Sequence, residues 1–280
     1  MTASRRSFLS AGGAAALTVA LGRRAMAAED LRIGFIPEVA TTPESIAAKQ
    51  PWVDYLQQRL KRNVKLIIPT NYAATVEALG NGSLDVANFG ALTYLKAQAR
   101  YGAKPLVQRN EDRHFHSLFI TGDPKIATLK DLKGKTFAFG DVNSTSGHLI
   151  PAQELIAAGI DPDKDLTARF SGNHTNTAIA VASGQVAAGA LDETVYRKLV
   201  DDKTIDPAKA RVFVTSHEFI DYVWAARKDL DAATVDAVTR AFLDLKDPKV
   251  LAVVRATGFV AANDKEYDAD RVVAKRLGLL

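Results

Sequence analysis

Apolar and polar positions alternate between two periods along this chain. Leu31-Arg32-Ile33-Gly34-Phe35-Ile36 reads as a strand, and Pro37 ends it. Residues 43–61 then place Ile46, Trp52, Val53, Leu56 and Leu60 at helical spacing, with Pro43 suited to a first turn. Val64 to Ile68 is a short β-branched run. The pattern continues with a helix over 71–80, a strand from Asp85 to Phe89, a helix from Leu92 to Arg100, and strands near 104–109 and 115–121. Thr136 to Gly140 reads as a buried strand and 147–158 as the next helix. From Asp231 onward, Val235, Val238, Phe242 and Leu245 recur every three or four residues, and charges of alternating sign mark a solvated helix face. Alternation of this kind predicts the α/β class with largely parallel sheets.

One pattern occurs twice. Ala73 to Leu79 runs into Gly82-Ser83-Leu84-Asp85-Val86-Ala87, and Thr177 to Ala182 runs into Gly184-Gln185-Val186-Ala187-Ala188-Gly189. Both read as helix, glycine, small-residue strand. Either any two βα units look this way, or the chain holds two similar lobes. No Pro/Gly/Ser-rich linker divides it, so two lobes would be joined by crossing strands, for which 115–121 and 211–225 are the best candidates.

The N-terminus changes the reading of charge. Ser4-Arg5-Arg6-Ser7-Phe8-Leu9-Ser10 matches a twin-arginine export pattern, an apolar run from Ala11 to Leu21 follows, and Ala25-Met26-Ala27 supplies a cleavage site. Residues 1–27 are therefore expected to be a signal peptide, with the mature protein in the periplasm or outside the cell. The formal charge of +4 comes from 36 Lys and Arg against 32 Asp and Glu. Arg5, Arg6, Arg23 and Arg24 lie in the export segment, which has no acid, so the mature chain is balanced. That argues against a nucleic-acid or membrane surface. No later apolar run is long enough to span a bilayer. The absence of cysteine excludes disulfides, thiolate metal sites and a Cys nucleophile.

Candidate chemistry concentrates at strand-to-helix turns. Asn143-Ser144-Thr145-Ser146-Gly147 follows a strand and opens a helix, where free N–H groups and the positive dipole end suit an oxyanion. One hydroxyl would suffice for an N-cap; three in a row favour a ligand cradle. His174 occupies a second such turn, as an anion donor or as a cap. Asp192 and Glu193 follow the small-residue strand at 187–191, where open α/β sheets place ligand contacts and where helix caps also sit. Asp221 is a lone acid in the apolar run Phe219 to Trp224, which is costly unless it is paired or functional. His114 and His116 share a face of an extended segment, but no third ligand stands at recognisable spacing, so no metal is expected. Ser144, His174 and Asp192 could be cast as a hydrolytic triad, yet Ser144 lacks a strained elbow. There is no G-x-S-x-G, P-loop, H-E-x-x-H or G-x-G-x-x-G.

The chain resembles the periplasmic substrate-binding proteins of ABC importers for phosphonate, phosphite and hypophosphite. The resemblance runs from Leu31 to about Phe259 through Asn71-Tyr72-Ala73, Asn88-Phe89-Gly90-Ala91-Leu92, Asp141 to Gly147, His174-Thr175-Asn176, and Asp221 to Trp224. It implies the two-lobed type II fold, each lobe a mainly parallel sheet flanked by helices, with the ligand in the cleft. The lobes would comprise 28–118 with 223–280, and 119–222. It also implies a monomer that binds a small phosphorus oxyanion, hands it to a membrane permease, uses no cofactor and catalyses nothing. Ser144, Thr145 and Ser146 are implied to bind the oxyanion and His174 to donate to it. Tyr72, Asp221 and the acid at Asp192 or Glu193 are implied as further contacts. Phe89 stands where some relatives have tyrosine, which favours a small ligand. Phe115 and His116 are expected to line the same pocket. A carboxylate beside an anion becomes useful if the ligand keeps one acidic proton for Asp221 or Asp192 to accept. Sulfate has none near neutral pH, and a site that depends on such a bond can reject it by ~10⁴–10⁵. The alternatives are a binding protein for another oxyanion or small organic molecule, and a periplasmic sensor module.

Overall fold

The computed structural model describes residues 29–39, 41 and 43–280, with only the backbone of Ser45; the expected export segment lies outside the described residues. Among the described residues, eleven strands form two sheets, the first in the order β11-β4-β10-β3-β1-β2 and the second in the order β7-β6-β8-β5-β9. Sheet 1 contains β1 (Leu31–Phe35), β2 (Val64–Ile67), β3 (Val86–Phe89), β4 (Lys104–Arg109), β10 (Val223–Ala226) and β11 (Phe259–Ala261). Sheet 2 contains β5 (Ser117–Thr121), β6 (Thr136–Phe139), β7 (Thr167–Phe170), β8 (Ala188–Asp192) and β9 (Arg211–Thr215). Helices α1 (Pro43–Ala47), α2 (Gln50–Leu60), α3 (Tyr72–Gly80), α4 (Ala91–Tyr101), α8 (Ala232–Leu243), α9 (Pro248–Val253) and α10 (Asp268–Arg276) belong to the first lobe in sequence. Helices α5 (Ile150–Ala157), α6 (His174–Ala182) and α7 (Glu193–Asp201) belong to the second.

The sheets are mixed, not mainly parallel. β1 pairs in parallel with β2 and β3, and β6 with β7 and β8. β10 runs antiparallel between β3 and β4, and β5 antiparallel between β8 and β9. Parallel neighbours need a crossover helix, and β5 and β10 are reached without one, directly from the other sheet. The two crossings, residues 110–116 and 216–222, are not continuous strands. They touch through one antiparallel bridge, in which Phe115 and Phe219 exchange two backbone hydrogen bonds of 3.0 Å.

The periodicities follow burial. In α2, Trp52, Val53 and Leu56 form the buried face, and Pro51 stands in the first turn, where its missing N–H costs nothing. Trp52 packs with Phe35, Trp224 and Phe242, ring centroids 5.2–5.8 Å away. Truncating such a buried indole to alanine costs about 3–5 kcal/mol. Sheet 2 has its own core around Phe119, Phe137 and Phe139. Each sheet therefore carries a separate apolar core, and the polar residues between them are what remains to explain.

Candidate functional site

The chain leaves β6 at Gly140 and enters a helical turn from Thr145 to Leu149 that is wider than an α-turn. Leu149 N–H reaches Ser144 O at 3.1 Å and Ile150 N–H bonds Thr145 O, both five residues back. A single π-turn of this kind commonly marks a functional site. It precedes α5, so the helix expected over 147–158 begins as one wide turn. Gly147 is required here. A Cβ would stand 2.9 Å from Ser144 Oγ, 3.0 Å from His174 Cε1 and 3.1 Å from Gly140 Cα. The three hydroxyls divide their tasks. Ser144 Oγ caps the turn, accepting from Gly147 N–H at 3.0 Å. Thr145 Oγ1 accepts from Leu92 N–H at 3.0 Å, in the other lobe. Ser146 is buried, and none of the described residues bonds its hydroxyl.

Asp221 faces this turn from the return crossing. Its Oδ1 accepts from Ala91 N–H at 3.1 Å, and its Oδ2 is buried without a partner. Burial lifts its carboxyl well above the usual carboxylate range, and nearby Asp192 and Asp112 add to the lift. The Ala91 N–H and the Thr145 hydroxyl pull the other way and lose. Burial thus favours the protonated form of Asp221, and its Oδ2 is free to meet a ligand. Ala91 and Leu92 open α4 behind Gly90, which has no side chain to cap them. A Cβ at Gly90 would lie 2.9 Å from Thr145 Oγ1 and 3.0 Å from Asp221 Oδ1.

Two further helix starts face the same region. Asn71 caps α3 by accepting from Ala74 N–H at 2.8 Å, and Asn173 caps α6 by accepting from Asn176 N–H at 2.8 Å. The next residue, Tyr72 or His174, is buried, and Tyr72 Oη and His174 Nε2 have no partner. Burial pushes the Tyr72 hydroxyl well above its usual range, and Glu38, Asp141, Asp192 and Asp221 reinforce it. Burial pushes the His174 imidazole down, so it is neutral. Its Nδ1 accepts from Asp192 N–H at 3.3 Å, which leaves the proton on Nε2. Tyr72, His174 and Asp221 therefore leave three buried polar atoms without a partner. Buried polar groups without partners are rare and call for a ligand or water.

Asp192 differs. Oδ1 caps α7 through Thr194 N–H at 2.6 Å and Val195 N–H at 2.8 Å, and Oδ2 accepts from the Tyr222 hydroxyl at 2.8 Å. Burial pushes it up, but His174, Arg255 and these donors hold it below the usual range. Both oxygens are engaged within the protein. Glu193 is likewise committed, to His116 N–H at 3.1 Å and to Arg197. His116 is partly exposed with its Nδ1 3.3 Å from Glu193. Phe89 and Phe115 are fully buried in one apolar cluster with Tyr72 and Tyr222. Among the described residues, no three His, Cys, Asp or Glu are placed to hold a metal.

Several contributors were not among the expected contacts. Asn143 receives the Thr93 hydroxyl on its carbonyl at 2.9 Å and Lys96 on its side chain at 2.6 Å. Glu38 O accepts from His174 N–H at 3.0 Å. With the Thr145–Leu92 bond, these contacts join the lobes and describe a closed cleft. Glu38 is an ordinary loop residue in one dimension; Gly90 and Asn143 lie in stretches that carry the resemblance, but only their partners show what each contributes.

The family model for the periplasmic substrate-binding protein of phosphonate ABC transporters matches residues 33–267. A probable ABC-transporter phosphite-binding protein of Prochlorococcus marinus (strain MIT 9301) is 30% identical over 241 residues, covering 79% of this chain and 81% of the relative. A phosphate-import protein of Mycolicibacterium smegmatis is 28% identical, covering 83% of this chain and 81% of the relative. The solved structure of PhnD1 from Prochlorococcus marinus in complex with methylphosphonate superposes with a TM-score of 0.82 at 28% identity, covering 90% of this chain and 99% of that one. A fold of two lobes, a closed cleft lined by unpartnered polar groups and a match over most of the chain agree: this protein belongs to the family of periplasmic substrate-binding proteins of phosphonate ABC transporters.

Proposed function

We propose that this chain captures a small phosphorus oxyanion (phosphite, hypophosphite or a small phosphonate such as methylphosphonate) and delivers it to an ABC permease. The observation that carries this reading is the trio of buried, unpartnered donors at Tyr72, His174 and Asp221 beside the turn that opens at Ser144. The Ser146 hydroxyl and the first N–H groups of that turn complete the donor set. None of these groups is a lysine or arginine, in keeping with a balanced mature chain. The identities of the relatives point the same way: one is named for phosphite, and the solved one holds methylphosphonate. Phe89, with no hydroxyl, keeps the wall apolar and the ligand small.

Asp221 takes over the role in which Asp192 was an equal candidate. With both oxygens occupied, Asp192 sets the imidazole and caps a helix, while Asp221 shares one proton with the ligand. Either Asp221 donates to the oxyanion or it accepts from a P–OH group; the two descriptions differ only in where the proton rests. The lobes would be 28–118 with 223–280, and 119–222, and closure bends the two crossings. Residues 1–27 would take the protein to the periplasm by the twin-arginine route. There it acts as a monomer, binds no nucleic acid and turns nothing over.

Calorimetry on protein starting at Ala28, with phosphite, hypophosphite, methylphosphonate, phosphate and sulfate, tests the reading. Tight binding of one of the first three and weak binding of sulfate are expected. No heat with any of those three would overturn it. Phosphate belongs in the panel because one relative is named a phosphate-import protein, and a neutral Asp221 can donate to phosphate as well.

A further inference from the structure

Arg109 ends β4 and Asp112 lies in the first crossing; both are almost completely buried. They are forked together. Arg109 Nε lies 3.0 and 2.9 Å from the two Asp112 oxygens, Nη2 lies 2.5 Å from Oδ1, and Arg109 N–H donates to Oδ2 at 2.9 Å. A buried pair of this kind is weak evidence for stability, because a well-packed apolar replacement is often as stable or more so. Its contacts suggest another use. The Asp112 carbonyl accepts from Asp221 N–H at 2.9 Å. The Arg109 guanidinium lies over the Tyr222 ring, 5.0 Å from its centroid. Tyr222, in the return crossing, donates to Asp192 Oδ2 at 2.8 Å, and Asp192 N–H meets His174 Nδ1 at 3.3 Å.

We propose that Arg109 and Asp112 are positioning residues for the oxyanion site, holding Asp221 by its backbone and Tyr222 by its ring and, through Tyr222 and Asp192, orienting His174. Two of the site's unpartnered groups, one in the return crossing and one at the start of α6, thereby depend on one ion pair in the first crossing. The pair sits in the crossing that the proposed closure would bend, and the Tyr222–Asp192 bond ties the return crossing to the start of α7. Closure would therefore assemble both donors in one movement. This rests on the oxyanion reading for its ligand, but not for its geometry.

Arg109→Lys separates the two. It keeps a charge beside Asp112 and loses both the fork and the guanidinium over Tyr222. In ligand-free protein, the ¹⁵N signals of His174 and the ¹³C carboxyl signal of Asp221 should both move and titrate differently from wild type. Phosphite affinity should fall on the order of tenfold, and by much less in an Asp221→Asn background, because coupled residues are not additive. A folded Arg109→Lys protein with unmoved signals and unchanged affinity would overturn the proposal, as would an equal loss in both backgrounds. If Arg109→Lys does not fold, Tyr222→Phe decides. It keeps the ring beneath Arg109 and cuts the bond to Asp192, so the His174 signals should move while Asp221 stays; no movement refutes the relay. If wild type binds no phosphite, hypophosphite or methylphosphonate, the ligand reading fails, and the ligand-free spectra still decide the positioning role.

Discussion

The helix that starts at Tyr72 and the helix that starts at His174 are built alike, one in each lobe. Each has an asparagine cap that accepts from the N–H three residues on at 2.8 Å. In each, a threonine four residues after the cap returns its hydroxyl to the cap's carbonyl at 3.2 Å. Each places a buried side chain with an unpartnered polar atom immediately after the cap. Each ends near a glycine at positive φ, +78° at Gly82 and +74° at Gly184, and runs into a fully buried strand. The lobes part company at the end of that strand. β8 finishes in Asp192, whose carboxylate caps the following helix. β3 finishes in Phe89-Gly90, and the following helix has no side-chain cap of its own. Its first N–H groups are instead met by Asp221 and Thr145 from elsewhere in the fold. A capped helix start is finished locally. An uncapped one must be completed by another part of the chain, and here that completion closes the cleft.

The largest effect should come from filling the position that keeps the lobes different. Gly90→Ala puts a Cβ 2.9 Å from Thr145 Oγ1 and 3.0 Å from Asp221 Oδ1, so both latching bonds must give. Overpacking of this kind costs about 1–3 kcal/mol, and here the closed form bears the cost. Affinity for the cognate oxyanion should fall by roughly 10–100-fold, and small-angle scattering should show a more open ligand-free protein. Unchanged affinity would mean that the uncapped start is incidental.

The two donors after the caps come next. Tyr72→Phe and His174→Gln each remove or displace one donor. Each should weaken binding by about 1–3 kcal/mol, the cost of leaving a buried partner unsatisfied. Ligand-free stability should hold or rise in Tyr72→Phe, because the unpartnered hydroxyl is gone. If one substitution weakens binding and the other does not, the resemblance between the two turns is architectural and not functional.

Asp221 tests the completing group itself. Its carboxyl titrates higher in the folded protein than in the unfolded chain, so folding retains a proton. That contribution is complete below the usual carboxylate range and is lost as pH rises toward the folded value, at up to about 1.4 kcal/mol per pH unit. Thermal unfolding of ligand-free wild type, compared with Asp221→Asn, should show the difference narrowing toward low pH, with the variant the more stable near neutrality. Anion affinity should also weaken at high pH in wild type, once Asp221 ionises, and this step should vanish in the variant. A variant less stable than wild type near pH 7 would show that the acid is ionised in the fold.

Much of this comparison was written in the residue pattern. The repeated helix-glycine-strand unit is visible in Ala73 to Ala87 and Thr177 to Gly189, because small residues at helix–sheet contacts leave a compositional trace. The hydroxyl run at Ser144 was legible for the same local reason: dipole, turn and hydroxyls all lie within a few residues. What the pattern could not carry was partnership. The antiparallel insertion of β5 and β10 depends on which strands they meet after crossing, and period alone does not encode that. Thr145 looked like its neighbours until Leu92 N–H was placed 3.0 Å away. Nor does the pattern encode that Asp192 is a fully engaged cap while Asp221 keeps one oxygen without a partner.

The smallest expected effect is the most direct test of likeness. Asn71→Ala and Asn173→Ala each remove a cap bond of 2.8 Å. Each should cost about 1 kcal/mol of stability, or about 2–4 °C in Tm for a protein of this size class. Neither asparagine is proposed to touch the ligand. Any loss of affinity should therefore come from fraying of the first turn, and it should be small and similar in the two variants. Asn173 has one extra claim on it, since its carbonyl also receives the Ser171 hydroxyl at 3.0 Å. That bond survives the substitution, because it uses the main chain. A matched pair of modest losses would establish the two turns as one device used twice. A large loss of binding at Asn173 alone would place the burden of recognition on the second lobe, with Tyr72 reduced to packing beneath it.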